Sequence, residues 1–331
     1  MNNYVFTCGD VNGIGPEIVI KTLNKIYQSI NDRFYFICPK NAFLTTIKKT
    51  KVHFQYQFLN DKISNESVRI TIVDIGNTKL NIGTPTKESG IAAYEAIKLA
   101  FKYSETKFVD AMITAPISKT ALKLAGIKFP GHTEMLAEMS NTSNYAMTFL
   151  SSKMNAALLT IHNPIINISG LINRELLQSK FAVVMKMLKE DLSISSPKIA
   201  VLGLNPHAGE NGFIGSEEED IIKPLLNEKE YSNYFYGPFP PDAFFANRLY
   251  KNYDLTLGMY HDQVLIPFKL LNFGKGVNYT AGLPIIRTSP DHGTAYDIAG
   301  KSIADESSML QSFYYAKKIV KSRRKLQKKL K

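Results

Sequence analysis

The sequence predicts an α/β fold: two interleaved α/β/α lobes built on mostly parallel sheets. Three observations carry this. Continuous apolar runs recur along the chain, amphipathic segments separate them, and polar chemistry collects where the runs end. Runs apolar on both faces read as parallel strands, and the segments between them as covering helices. A chain of 331 residues is too long for one simple core and suits two lobes.

The first run, Tyr4 to Cys8, drops into G-D-V-N-G-I-G-P-E and resumes as a helical pattern. Gly9, Gly13 and Gly15 permit a tight loop, and Pro16 suits a first helical turn, where its missing N–H costs nothing. Glu17 then favours the positive end of the helix dipole. The loop is not a P-loop, because no Lys-Ser or Lys-Thr follows it. Its G-x-x-x-G-x-G spacing is also not the dinucleotide fingerprint. Taken alone, the stretch reads as a sharp connection. The later strand-like runs are "FYFIC", "RITIVDI", "DAMIT", "AMTFL", "AALLTI", "KIAVLGL", "LTLGMY" and "LPIIR". The stretch from Pro206 to Asp242, rich in Gly, Glu and Pro, reads as loops and one helix over a site. No fixed-period repeat or low-complexity linker interrupts the pattern.

Composition excludes several classes. No apolar stretch approaches the roughly 18 residues of a membrane span. A strand begins almost at the N-terminus, where a signal peptide would need room. Cys8 and Cys38 lie in apolar runs and form no C-x-x-C, so they are expected as core thiols of a cytoplasmic protein. The net charge of +11 belongs to the tail: "KKIVKSRRKLQKKLK" carries nine basic residues and no acidic one, leaving +2 elsewhere. That tail reads as a final helix with a solvated basic face and Ile319, Val320, Leu326 and Leu330 on the other. Aromatic residues do not interleave with the charges, so nucleic acid is not an expected partner.

The residues after each run carry the function. "DAMIT" leads to Ala115-Pro116-Ile117-Ser118-Lys119, "AALLTI" to His162, "KIAVLGL" to Asn205-Pro206-His207 and "LTLGMY" to His261. "LPIIR" leads to Thr288 through Thr294. Ligands of open α/β sheets bind outside the carboxyl ends of strands. Three imidazoles gathered at one such edge suit catalytic zinc with an open fourth position, or cobalt or nickel. Spacing alone leaves this reading level with one general-base histidine and two core ones. Lys269, Asn278 and Arg287 suggest phosphate handling, Arg as a fixed fork and Lys as a point charge. Each is also readable as an exposed basic residue, and for any single lysine that is the better reading. His132 and Thr133 stand where "FPGHTEML" enters a helix, and Thr133 also suits an N-cap.

Together "GDVNGIGPEI", "ITAPISKTAL", "GHTEML", "LNPHAGENGFIGSEE", "GPFPPDAFF", "YHDQVLIPFK" and "TSPDHGTAYDIAGK" resemble the 4-hydroxythreonine-4-phosphate dehydrogenase family of pyridoxal-phosphate biosynthesis, from Gly9 to Lys301. "GDVNGIGPE" and "HGTAYDIAGK" are more distantly similar to loops of isopropylmalate and isocitrate dehydrogenases. The resemblance implies that fold, with residues 1–125 and 279–331 forming a cofactor-side lobe. Residues 126–278 would form a lobe for metal, substrate and dimerisation. It implies NAD- or NADP-dependent oxidation of 4-phosphohydroxy-L-threonine to 2-amino-3-oxo-4-phosphohydroxybutanoate, which loses carbon dioxide to give 3-amino-2-oxopropyl phosphate.

Position by position, His162, His207 and His261 fall on the family's metal ligands, for zinc foremost and magnesium or cobalt besides. His132, Thr133, Lys269, Asn278 and Arg287 fall on its substrate contacts, and His292, Gly293 and Thr294 on the cofactor loop. Asp242 is the candidate carboxylate for metal or proton traffic; it also suits a helix N-cap. The resemblance further implies a homodimer with sites at the interface. His162 and His207 are expected from one subunit, and His261, Lys269, Asn278 and Arg287 from its partner. Oxidation of phosphothreonate, phosphoerythronate or an unphosphorylated diol is the alternative among enzymes; a non-catalytic metal- or phosphate-binding protein is the alternative outside them. Val11-Asn12 departs from the family's more usual Pro-Ala, and the lysine-rich tail is a second departure.

Overall fold

The computed structural model describes residues 1–59 and 68–330. These form twelve strands: β1 (Asn3–Thr7), β2 (Arg33–Ile37), β3 (Tyr56–Phe58), β4 (Ile70–Val73), β5 (Ala111–Thr114), β6 (Ala146–Leu150), β7 (Ala156–Leu158), β8 (Ile199–Leu202), β9 (Phe235–Phe239), β10 (Leu255–Gly258), β11 (Val277–Ala281) and β12 (Arg287–Pro290). The α/β class with mostly parallel pairing is as the sequence predicts. The chain divides into two compact units, Met1–Asn141 with Leu283–Val320 and Thr142–Gly282 with Lys321–Lys331.

In the first unit the strand order is β3-β4-β2-β1-β5-β12, and every pair is parallel. Central β1 is buried on both faces, which suits a run as apolar as "YVFTC", where Thr7 alone is polar. Tyr4 and Phe34 pack edge-on against Phe313 of the C-terminal helix Ser307–Leu330, at centroid separations of 5.1 and 5.7 Å. The helix Gly15–Ile26 follows the opening loop with Pro16 and Glu17 in its first turn. Gly9 is required by its φ of +62°, and a Cβ there would lie 2.3 Å from the Pro116 carbonyl oxygen. Cys8 and Cys38 are free, buried thiols.

In the second unit the order is β11-β6-β7-β10-β8-β9. β6 pairs antiparallel with both β11 and β7, whereas β7/β10, β10/β8 and β8/β9 are parallel. Phe149, Leu202, Phe244 and Phe268 sit in its core.

Three expectations change. "LPIIR" is not a strand ending at Arg287: the strand begins there, because Pro284 interrupts the approach. The stretch from Pro206 to Asp242 contains β9 as well as helical turns. The Thr133 N-cap is also not formed, since Gly131 holds that position and Thr133 lies inside the helix His132–Met139. In the C-terminal helix Ile319 and Val320 are buried and Leu326 is half-buried; the side chain of Leu330 lies outside the described ones. Among the described residues no helix is long and apolar enough to cross a membrane.

Candidate active site

The three histidines leave the carboxyl ends of adjacent parallel strands of the second unit. The order β7-β10-β8 places the His162, His261 and His207 connections side by side. The first two are tied by backbone bonds beyond the strands: Leu159 N–H donates to Gly258 O at 2.8 Å and Thr160 Oγ1 to Met259 O at 2.7 Å. The His162 and His261 rings lie 6.0 Å apart between centroids. His261 opens the helix His261–Asn272, and its Nδ1 faces Asp262 Oδ1 at 2.6 Å. A carboxylate there holds the proton on Nδ1 and leaves the Nε2 lone pair for a ligand.

His207 stands in an unusual turn. His207, Ala208, Gly209, Glu210, Asn211 and Gly212 all have positive φ, between +42° and +89°. Left-handed backbone costs roughly 1–2 kcal/mol for each of the four non-glycine residues, so the surroundings must enforce it. Asn205 and Glu218 do so. Asn205 donates its backbone N–H to Glu218 Oε1 and its amide Nδ2 to Glu218 Oε2, both at 2.8 Å. Glu218 is fully buried beneath the turn. The helix Pro241–Ala246 packs against this segment and carries Asp242, exposed in its first turn. Asp242 is not the N-cap; Pro240 is.

Imidazoles are the donor type that a zinc-type ion takes, and one of these three faces a carboxylate through its second ring nitrogen. Among the described residues no group of three or more His, Cys, Asp and Glu is gathered closely enough in one chain to hold a metal ion.

The first unit assembles a different chemistry. Arg287 is 1% exposed, and its Nε donates to Thr114 Oγ1 at 2.9 Å. Burial lowers its pKa to about 9, with the Glu134 charge opposing. His132 begins a helix whose N-cap residue, Gly131, offers no side-chain oxygen. Its Nε2 is buried and has no hydrogen-bond partner among the described residues. Burial, and then the Arg287 charge, push its pKa well below 6.5, so this imidazole is neutral at pH 7. A buried guanidinium beside helix-start N–H groups is a setting that an anion stabilises. In the second unit Lys269 is exposed on the His261 helix, and Asn278 lies on β11 with its Oδ1 buried and without a hydrogen-bond partner among the described residues.

The glycine loop and the 292–302 segment meet within the first unit. Ile14 N–H donates to Thr294 O at 3.0 Å, and a Cβ on Gly13 would lie 2.7 Å from that same oxygen. Tyr296 OH donates to the buried Asp10 at 2.8 Å, as does Ser89 Oγ at 3.0 Å. His292 Nδ1 faces Gly293 O, and its Nε2 is buried without a hydrogen-bond partner among the described residues. Beside this junction is a cavity of about 210 Å³ lined by Val11, Gly13, Glu17, Ile82 and Ala299 through Ser302. Thr45, Thr46, Lys49 and Thr50 complete the wall. Sequence reasoning missed these four, and only the local density of hydroxyls and lysines in "LTTIKKTK" marks them.

Imidazoles past the carboxyl ends of three strands and a glycine loop past a fourth define an α/β protein of the open-sheet, ligand-binding class. Within that class the chain belongs to the family described as pyridoxal phosphate biosynthetic protein PdxA, whose model matches residues 23–316. It is 42% identical over 316 residues to a 4-hydroxythreonine-4-phosphate dehydrogenase of Sulfurihydrogenibium, covering 94% of this chain and 96% of that protein. A protein of Oceanobacillus iheyensis named for D-threonate 4-phosphate dehydrogenation is 38% identical, covering 94% and 95%. The crystal structure of 4-hydroxythreonine-4-phosphate dehydrogenase from Klebsiella pneumoniae superposes with a TM-score of 0.82 at 34% identity, covering 96% of this chain and 98% of that one.

Proposed function

We propose that the protein oxidises the secondary alcohol of 4-phosphohydroxy-L-threonine, with NAD or NADP as hydride acceptor. The 2-amino-3-oxo acid so formed decarboxylates to 3-amino-2-oxopropyl phosphate. The observation that carries this reading is the placement of His162, His261 and His207 at three neighbouring strand ends in a chain of this family.

A divalent cation on these imidazoles, zinc foremost and magnesium or cobalt besides, supplies Lewis acidity that eases loss of the hydroxyl proton and of carbon dioxide. Asp262 fixes the tautomer of His261, and Asp242, exposed on the helix that packs against the His207 segment, would accept a proton or orient water. Arg287 binds the phosphate, and His132 and Thr133 orient the substrate at the helix start. Lys269 and Asn278 add a point charge and a buried amide for further substrate contacts. The loop of His292, Gly293 and Thr294, locked against the glycine loop, supports the dinucleotide beside the cavity. The reading includes a homodimer. Ile266, Leu270 and Phe273 form an exposed apolar stripe on the segment that His261 opens, with Leu270 80% and Phe273 92% exposed, and a second copy would cover it.

The test is a substrate panel with initial rates for both cofactors, before and after chelation. Reduction of NAD or NADP with 4-phosphohydroxy-L-threonine, abolished by chelator, is expected. Full activity of a demonstrably metal-free preparation would sink the metal assignment. Preference for D-threonate 4-phosphate would establish the second reading, which the Oceanobacillus relative favours. His207→Ala should lower metal content and rate together, by roughly a thousandfold in rate, while the fold persists.

A further inference from the structure

The three histidine connections are linked by side chains that the reaction itself does not use. Gln263, two residues beyond His261, accepts from Met259 N–H and donates to Gly203 O, both at 2.7 Å. It thereby joins the end of β10, which carries His261, to the end of β8, which carries His207. Asn205 makes the second link. Its amide nitrogen donates to Glu217 Oε2 at 2.7 Å as well as to Glu218. Glu217 in turn accepts from Ser169 Oγ, on the turn that follows His162. That bond is the first cause of the lowered Glu217 pKa, so this carboxylate is ionised and accepts at neutral pH.

The packing leaves little freedom for an alternative. A Cβ on Gly209 would lie 2.7 Å from Glu218 Oε2, and one on Gly215 would lie 2.5 Å from Asn205 Nδ2. The left-handed turn therefore closes directly over the Asn205–Glu218 pair, and His207 projects from that turn. We propose that Asn205 is a positioning residue for the histidine set: its amide, clamped between Glu217 and Glu218, holds the His207 turn and ties it to the His162 connection. This rests on the metal reading above.

The chemistry makes the amide specific. Aspartate has nearly the same shape but no donor, and would set a third carboxylate against two others. Asn205→Asp should therefore weaken metal binding by roughly 10- to 100-fold, the usual effect of losing a partner that orients ligands. Adding Glu218→Gln returns a donor to one side of the clamp, while the new carboxylate still faces Glu217, so Asn205→Asp/Glu218→Gln should regain part of the loss. The experiment uses full-length, metal-stripped protein. It measures zinc affinity by chelator competition and the visible absorption of the cobalt(II) form, with circular dichroism and a denaturation midpoint for the fold.

A folded Asn205→Asp protein with wild-type zinc affinity overturns the proposal, as does a loss that the paired change repairs in no part. Should Asn205→Asp not fold, Ser169→Ala decides. It removes only the exposed end of the chain of contacts, and a loss of several-fold is expected; unchanged affinity overturns the proposal. Undiminished zinc affinity in His207→Ala would instead remove the metal reading, and this proposal with it.

Discussion

Arg287→Met separates phosphate recognition from every other role of the site. Methionine keeps most of the arginine volume and removes the charge, so the core is not emptied. Arg287 is 1% exposed, and its Nε is held by Thr114, so the guanidinium is fixed and shielded from water before any ligand arrives. A charge-assisted hydrogen bond contributes about 1.5–3 kcal/mol, and a desolvated fork that makes more than one should contribute about 2–4 kcal/mol to transition-state binding. At 1.36 kcal/mol per tenfold, kcat/KM for the phosphorylated substrate should fall about 30- to 900-fold. An unphosphorylated analogue, already poor, should lose far less. Reduced nicotinamide formation gives the rates, and a denaturation midpoint checks the fold. Because Glu134 loses a positive neighbour in this variant, Arg287→Met/Glu134→Gln serves as the control for stability. Equal losses on both substrates would refute the reasoning and make the arginine structural.

Mixing His207→Ala and His261→Ala subunits, each inactive alone, should restore part of the wild-type activity if one site takes these two ligands from different chains, since one site then carries both lesions and the other neither. No recovery despite proven subunit exchange would assign both to one chain. Arg323→Met should lower unfolding stability by roughly 3 kcal/mol, because Arg323 Nε and Nη2 hold the buried Asp191 at 2.6 and 3.2 Å, and Nη2 also reaches Tyr279 OH at 3.0 Å. Truncation after Arg323 keeps that clamp and should barely move kcat; a collapse of activity in a folded truncation would place the tail in the site. His132 has a folded pKa well below 6.5, so the unfolded chain takes up a proton there first, and the stability contributed is full above about 6.5 and lost as pH falls from that value. Relative to His132→Asn, the wild-type denaturation midpoint should therefore drop between pH 7 and pH 5, and parallel curves would contradict the burial argument.

Much of the candidate site was legible because parallel strands impose a simple rule. An apolar run must end, and the residues just past its end lie at the sheet edge where ligands bind. That rule singled out His162, His207 and His261 without any local motif. It failed where a strand carries polar residues for reasons of pairing. β11 reads "VNYTA" and is set by its antiparallel register with β6, Asn278 against Phe149. β9 contains Gly237-Pro238, which reads as a break, yet it stands last in its sheet order, where a missing N–H is tolerated. The His207 turn was equally hidden. Local propensity argues against four non-glycine residues in left-handed backbone, and only the tertiary contact with buried Glu218 reverses that preference.

The departure at Val11-Asn12 has its own physical account. Asn12 is fully buried, and its backbone N–H donates to Asp10 Oδ1 at 2.9 Å. Its Nδ2 donates to Thr84 O at 3.0 Å and to Thr86 Oγ1 at 3.3 Å, while its Oδ1 accepts from Asn81 N–H at 2.8 Å. The Asn12 carbonyl accepts from Gly83 N–H as well. An alanine here, as the resemblance would lead one to expect, could keep the backbone bonds but none of the three to the side chain. The asparagine thus carries the glycine loop across to the 81–86 segment. The same segment brings Ile82 to the cavity wall and Thr86 to the N-cap of the helix Lys87–Glu105. Ser89 of that helix donates to Asp10, and so does Tyr296 from beyond the His292–Thr294 loop. Asn12 therefore ties the glycine loop to the 81–86 segment, while the neighbouring Asp10 gathers Ser89 and Tyr296 at the same junction. What reads in sequence as a weakened fingerprint is, in the folded chain, a more heavily hydrogen-bonded one.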